Sequence, residues 1–166
     1  MAQLLPIKVF SCPVLRNKSR ALKTNELQNE DIKQLILDME KTMLEKDGIG
    51  LAAPQIGKNI KVIVVNTESG VIALINPKIL RKSWKKEIME EGCLSLPEVF
   101  GLVKRSAKVN LVALNKNGKK VKFKATGMFA RVLQHEIDHL SGVMFIDKAT
   151  EITKGKDILE KEFSKK

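Results

Sequence analysis

Apolar residues recur at every third or fourth position through Ile32, Leu35, Ile36, Met39 and Met43, which predicts an amphipathic helix. Asn29 is placed to cap it, Glu30 and Asp31 suit its first turn, and Gly48 lies just past its end, with Lys46 close by. The period then shortens to two or gives way to short apolar runs. Residues 61–65, 71–75, 108–114 and 121–125 read as strands, the last two joined by a hairpin around Asn117-Gly118, so the sheet is at least partly antiparallel. From Met128 to Leu140 the apolar residues Met128, Phe129, Ala130, Val132, Leu133, Ile137 and Leu140 cover most of a helical circumference. This predicts a helix buried on nearly every side and ended by Gly142. After Thr150, Ile152, Ile158, Leu159 and Phe163 are spaced as in a short amphipathic surface helix. Pro6 and Pro13 break the stretch from Ile7 to Lys23, which reads as an irregular segment wrapping over the rest.

These elements imply an α+β fold with mixed, largely antiparallel sheets around a central buried helix. The 166 residues form one domain, 1–166, with no repeat or linker to divide them. No apolar run approaches the ~20 residues of a membrane span. The N-terminus lacks the basic and apolar regions of a signal peptide, so a cytoplasmic protein is expected, in a bacterial cytosol first and in an organelle matrix as the alternative. In such a reducing compartment Cys12 and Cys93 are thiols or metal thiolates. The net charge of +11 suits an anionic partner such as a ribosome surface. Lys82, Lys85, Lys86, Lys116, Lys119, Lys120, Lys165 and Lys166 are scattered along the chain, however, with one Trp, no Tyr and no nucleic-acid motif. The charge therefore reads as a solvated surface, without sequence-specific nucleic-acid binding.

The stretch Gln134-His135-Glu136-Ile137-Asp138-His139-Leu140 carries the chemistry. At ~100° per residue, positions four apart lie within roughly 40° of each other, so His135 and His139 project from one helix face. They are the only two histidines in the chain, spaced as a bidentate metal clamp, and Glu136 beside them suits a general base. In a buried helix these polar groups need partners, and a metal supplies them. A catalytic site of this kind uses three protein ligands and one open position. The His-Glu-x-x-His-x-x-Gly-x-x-His pattern is followed as far as Gly142 and then fails, because Phe145 stands where a third His would bind. Asp147 and Glu151 remain possible third ligands downstream, and Cys93, beside Gly92, is a stronger one upstream.

Three motifs resemble those of the peptide deformylases, in that family's order and at similar separations: Gly48-Ile49-Gly50-Leu51-Ala52-Ala53-Pro54-Gln55, Glu91-Gly92-Cys93-Leu94-Ser95 and the His-Glu-x-x-His segment through Gly142. The resemblance extends from about Ile7 to Asp147. It implies removal of the formyl group from N-formylmethionyl nascent peptides, with formate as product, by attack of a metal-bound hydroxide on the formyl carbonyl. Cys93, His135 and His139 would then hold one divalent ion, Fe²⁺ by the resemblance, with Zn²⁺, Ni²⁺ or Co²⁺ as alternatives. Glu136 would move protons, while the Gln55 amide and the Leu94 backbone N–H would stabilise the oxyanion. Gly48, Ile49, Gly50 and Glu91 would contact substrate, and Asp138 and Arg105 would pair behind the ligands. Phe100 occupies a variable loop position that is basic in some relatives. The helix motif alone also fits a metallopeptidase cutting internal bonds, and the charge alone fits an RNA- or ribosome-binding protein.

Overall fold

The computed structural model describes residues 1–164. The first long helix is α1 (Glu30–Glu45), where the Asn29 side chain accepts from the Asp31 N–H at 2.9 Å. Ile36, Met39 and Met43 on its inner face are buried, as their spacing predicts. Strands β1 (Gly50–Ala52), β2 (Val62–Thr67), β3 (Gly70–Lys82), β4 (Lys86–Cys93), β5 (Leu96–Ser106), β6 (Lys108–Leu114) and β7 (Lys120–Thr126) follow. Helix α2 (Gly127–Leu140), strand β8 (Ala149–Lys154) and helix α3 (Lys156–Phe163) complete the described chain.

The strands form a five-stranded sheet of order β1-β2-β3-β6-β7 and a three-stranded sheet of order β4-β5-β8, with every named pairing antiparallel. Helices cover both faces of the β1-β2-β3 end of the larger sheet. Val62 and Val64 pack in the cluster that contains α1, whereas Ile63 and Val65 pack with Ala130, Leu133 and Leu140 of α2. That double burial explains the unbroken apolar run Val62-Ile63-Val64-Val65. Farther along, Val109, Leu111 and Ala113 of β6 face α2, while the alternate residues Lys108 and Asn110 are exposed and Val112 is half-buried. On β6 and β7 the opposite face is therefore open to solvent. The hairpin between them is closed by Asn115, whose Oδ1 accepts from the Asn117 and Lys119 N–H groups at 3.0 Å, and Gly118 takes a φ of +74°.

Three elements differ from their sequence pattern. β3 continues past 75 to Lys82, because register shifts between Ile75 and Lys78 absorb Pro77, which has no N–H to give the ladder. β4 and β5 form a long hairpin through residues whose glutamates, methionine and glycines carry little strand signal; its pairing runs from Lys86 opposite Ser106 to Cys93 opposite Leu96. After Thr150 there is first a strand and only then a helix, separated by Gly155 at a φ of +77°. Ile152 accordingly packs from β8 against the cluster holding Val103 and Phe145.

The N-terminal segment does wrap over the fold, and its backbone is tied down by side chains and distant carbonyls. The Gln3 N–H donates to Asp38 at 2.7 Å, the Leu5 N–H to the Thr42 hydroxyl at 2.9 Å, and the Lys8 N–H to the Gln55 carbonyl at 2.7 Å. The Ser19 N–H reaches the Leu140 carbonyl at 2.9 Å, at the end of α2. Here Gly142 has a φ of +74°, and a Cβ on it would lie 2.7 Å from the Arg16 carbonyl carbon. Gly142→Ala should therefore cost roughly 2 kcal/mol or more. The urea midpoint should fall with an unchanged m-value, and an unshifted midpoint would show that the segment yields freely.

Candidate active site

His135 and His139 stand one turn apart on α2, and the antiparallel β4–β5 hairpin brings Cys93 to them. Cys93 Sγ lies 3.3 Å from His139 Nε2, which lies 3.3 Å from His135 Nε2, and all three ligand atoms fall within 4.8 Å of one another. Ligands about 2.0–2.3 Å from a tetrahedral ion are themselves separated by roughly 3.5 Å, so the spacing fits such an ion. The donor set of one thiolate and two imidazoles suits a transition metal rather than Mg²⁺ or Ca²⁺. Asp147, by contrast, caps its own turn and pairs with Arg16, and Glu151 lies exposed on β8.

Behind the cluster, Glu91 of β4 joins three side chains, those of His135, Arg105 and Arg131. Its Oε2 meets His135 Nδ1 at 2.9 Å, leaving His135 Nε2 toward the cluster. Arg105 of β5 binds it in a fork, Nε to Oε1 at 2.6 Å and a terminal nitrogen to Oε2 at 2.9 Å. Arg131 of α2 adds a third donor at 2.7 Å and continues to the Val103 and Glu87 carbonyls. Arg105 also pairs with Asp138 at 2.7 Å, and Lys148 closes on the same carboxylate. Burial opposes charge on Glu91, yet His135 and Arg105 hold its pKa at about 2. For His135 burial again opposes charge, and the bonds to Cys93 and Glu91 outweigh it to raise the pKa.

On the open side of the cluster, Gln55 sits in a short turn, Ala53–Ile56. Its Oε1 accepts from the Ala52 N–H at 2.8 Å, so its Nε2 is directed at Cys93 Sγ, 3.4 Å away, and at Ser95 Oγ, 3.3 Å away. Leu94 occupies the two-residue turn between β4 and β5. Glu136 is buried, one of its oxygens has no protein partner, and burial lifts its pKa to about 7. Gly50 makes room for that carboxylate, since a Cβ there would lie 2.8 Å from Glu136 Cδ. These groups line one cleft of about 1010 Å³, which extends past Gly48, Ile49, Phe100 and Met128 and is walled on one side by Leu4, Leu5, Pro6 and Ile7.

Residues 4–155 match the family described as polypeptide deformylase. The chain belongs to the peptide deformylase family. It is 46% identical over 151 residues to a peptide deformylase of Halothermothrix orenii, covering 90% of this chain and 96% of that one. A peptide deformylase of Pseudothermotoga lettingae is 48% identical over 141 residues, covering 85% and 80%. Among solved structures, the Thermotoga maritima peptide deformylase superposes with a TM-score of 0.85 at 40% identity, over 89% of this chain and 99% of that one. The class I type b enzyme of Acinetobacter baumannii, solved with Met-Ala-Ser bound, gives 0.84 at 34% identity with the same coverage.

Within this deformylase fold, Cys93, His135, Glu136, Gln55, Leu94 and Gly50 line one cleft, and the buried His139 meets it through Cys93 and His135. Glu91, expected as a substrate contact, lies in the lining of the cleft with both its carboxylate oxygens bonded to Arg105, Arg131 and His135. Asp138 and Arg105 do pair, but they reach the cluster only through Glu91. Arg131 was hidden in the apolar pattern of α2. Its position four residues before His135, on the same helix face, was the available sign that a buried acid must lie opposite.

A carboxyl held below its unfolded pKa of ~4.3 stabilises the fold above that pH, and the contribution is lost as pH falls toward 2. Glu91→Gln leaves two buried arginines short of a counter-charge and should cost on the order of 3 kcal/mol at pH 7. Guanidinium unfolding of the metal-free proteins should show this gap narrowing at pH 3. A gap that is equally wide at both pH values would mean that packing, not charge, is what Glu91 contributes.

Proposed function

We propose that the cleft removes the formyl group from N-formylmethionyl peptides, with Cys93, His135 and His139 holding one divalent metal ion. The observation that carries this reading is the convergence of a thiol and two imidazoles at tetrahedral spacing beside a buried carboxyl of raised pKa. When bound, the ion polarises the formyl carbonyl and lowers the pKa of water toward ~7. Fe²⁺ is the occupant that the family resemblance implies, and Zn²⁺, Ni²⁺ and Co²⁺ fit the same donors.

The chain's own groups supply the rest. Glu136, with a pKa near 7, is balanced to take a proton from the attacking water and return it to the departing amine. Gln55 is held by Ala52 with its amide N–H₂ turned into the cleft, where it donates to the oxygen that becomes negative; the Leu94 N–H is the second donor. Glu91 fixes the His135 ring, and Arg105 and Arg131 keep Glu91 ionised. Gly48, Ile49 and Gly50 run along the mouth as the surface for the peptide backbone. The Met-Ala-Ser bound to the Acinetobacter baumannii relative supports a peptide with an N-terminal methionine as the occupant. A nascent-chain substrate supports a cytoplasmic location beside the ribosome. No described helix is long and apolar enough to cross a membrane.

Protein prepared without oxygen should release formate from formyl-Met-Ala, and chelation should abolish the release. Formyl- and acetyl-dipeptides assayed together separate this activity from cleavage of internal bonds. No formate from fully metallated protein would overturn the proposal. Glu136→Ala should keep a full complement of metal by elemental analysis while losing ~10²-fold or more in kcat. Retained turnover in that variant would remove Glu136 as the proton carrier.

A further inference from the structure

The basic residues that are scattered in the sequence are gathered by the fold. Residues 77–86 and 107–126 together contain eleven of the chain's thirty basic residues and none of its nineteen acidic ones. The remainder of the chain is electroneutral, so the whole excess of +11 lies on β3, β6, β7, the turns beside them and the first residue of β4.

Register then orders these charges. Lys78 of β3 and Lys122 of β7 flank Val112 of β6 in one row, and Arg81 and Lys124 flank Asn110 in the next. All four cations are exposed, on the face turned away from α2. Strands are spaced ~4.8 Å apart, so the two cationic walls stand roughly 10 Å apart across an uncharged floor. Along β7, Lys120, Lys122 and Lys124 repeat at roughly 6.8 Å.

At the Lys108 end of this floor lies Trp84, 99% exposed and the only tryptophan. Its neighbours are pinned to β6: Ser83 N–H donates to the Lys108 carbonyl at 2.9 Å, Lys108 N–H to Ser83 Oγ at 3.0 Å, and Ala107 N–H to the Lys85 carbonyl at 3.0 Å. An indole left wholly in water on an anchored turn gains nothing for the fold.

We propose that the β3-β6-β7 face is a docking trough for single-stranded RNA, its phosphates running between the two cationic walls and a base stacking on Trp84. Paired rows of cations about a neutral floor, ended by one aromatic plane, are how a backbone is tracked without reading sequence. The choice of RNA over other polyanions rests on the deformylase reading, because formylated chains emerge beside RNA. The trough shares no residue with the catalytic groups, so binding and formate release can be measured separately on the same protein.

Trp84 is its own reporter. Titrating the metal-loaded protein with a twelve-residue oligouridylate should quench tryptophan emission. The affinity should fall with salt at a log–log slope of about −3, for four phosphates neutralised. Lys122→Gln combined with Lys124→Gln should reduce that slope by about 1.4. Trp84→Ala, followed by anisotropy of labelled RNA, should weaken binding at least ~5-fold with the slope unchanged, and Trp84→Phe should restore most of it. Formate release from formyl-Met-Ala should be unaltered in all three variants. No quench by RNA at low salt overturns the proposal, as do lysine and tryptophan variants that bind like the parent. A stronger response to oligodeoxythymidylate or to phosphatidylglycerol vesicles overturns RNA as the occupant.

Discussion

The charge cluster centred on Glu91 is the constraint on which the site depends. A single buried carboxylate joins β4 to β5 through Arg105 and to α2 through Arg131 and His135. Two buried arginines and one acid would be a poor exchange for hydration if they served stability alone. Their geometry does something else: it holds the three-stranded sheet against the histidine face of α2 at the place where Cys93 must meet the ring nitrogens. Remove the charge, and the thiol and the imidazoles are registered by apolar packing and by the Gln134 amide, which is bonded to the Ser106 backbone.

Around that fixed point the two sheets divide the work. The five-stranded sheet gives α2 an apolar bed through Ile63, Val65, Leu111 and Ala113, and carries Gly50 close to Glu136. The smaller sheet supplies the thiol and the Leu94 turn. Gln55 lies between them, on a short turn that also receives the Lys8 N–H from the N-terminal segment. Each catalytic candidate is therefore set by backbone belonging to regular structure or by a hydrogen bond that leaves its side chain one orientation.

Much of this was legible from the order of residues. Spacing gave the α1 face from Ile32 to Met43, the hairpin at Asn117-Gly118 and the shared face of His135 and His139, because each rests on local geometry. The β4–β5 hairpin and β8 were not visible, since their pairing joins segments that carry mixed, weakly patterned side chains. The role of Glu91 was hidden for a related reason: a motif shows that an acid stands before Gly92-Cys93, but only the tertiary fold shows that two arginines claim it. The clustering of charge was missed in the same way, because Lys78 and Lys122 are far apart in the chain and become neighbours only across β6.

The N-terminal segment has one further consequence. Leu4, Leu5, Pro6 and Ile7 wall the cleft, while the backbone around them occupies Asp38 and Thr42, polar groups buried on α1. Residues 4–7 are thus a wall of the cleft as well as a strap over α1. Displacing this segment would widen the cleft and remove the backbone N–H groups that Asp38 and Thr42 accept from at the same time, so the segment and the cleft are under one structural constraint.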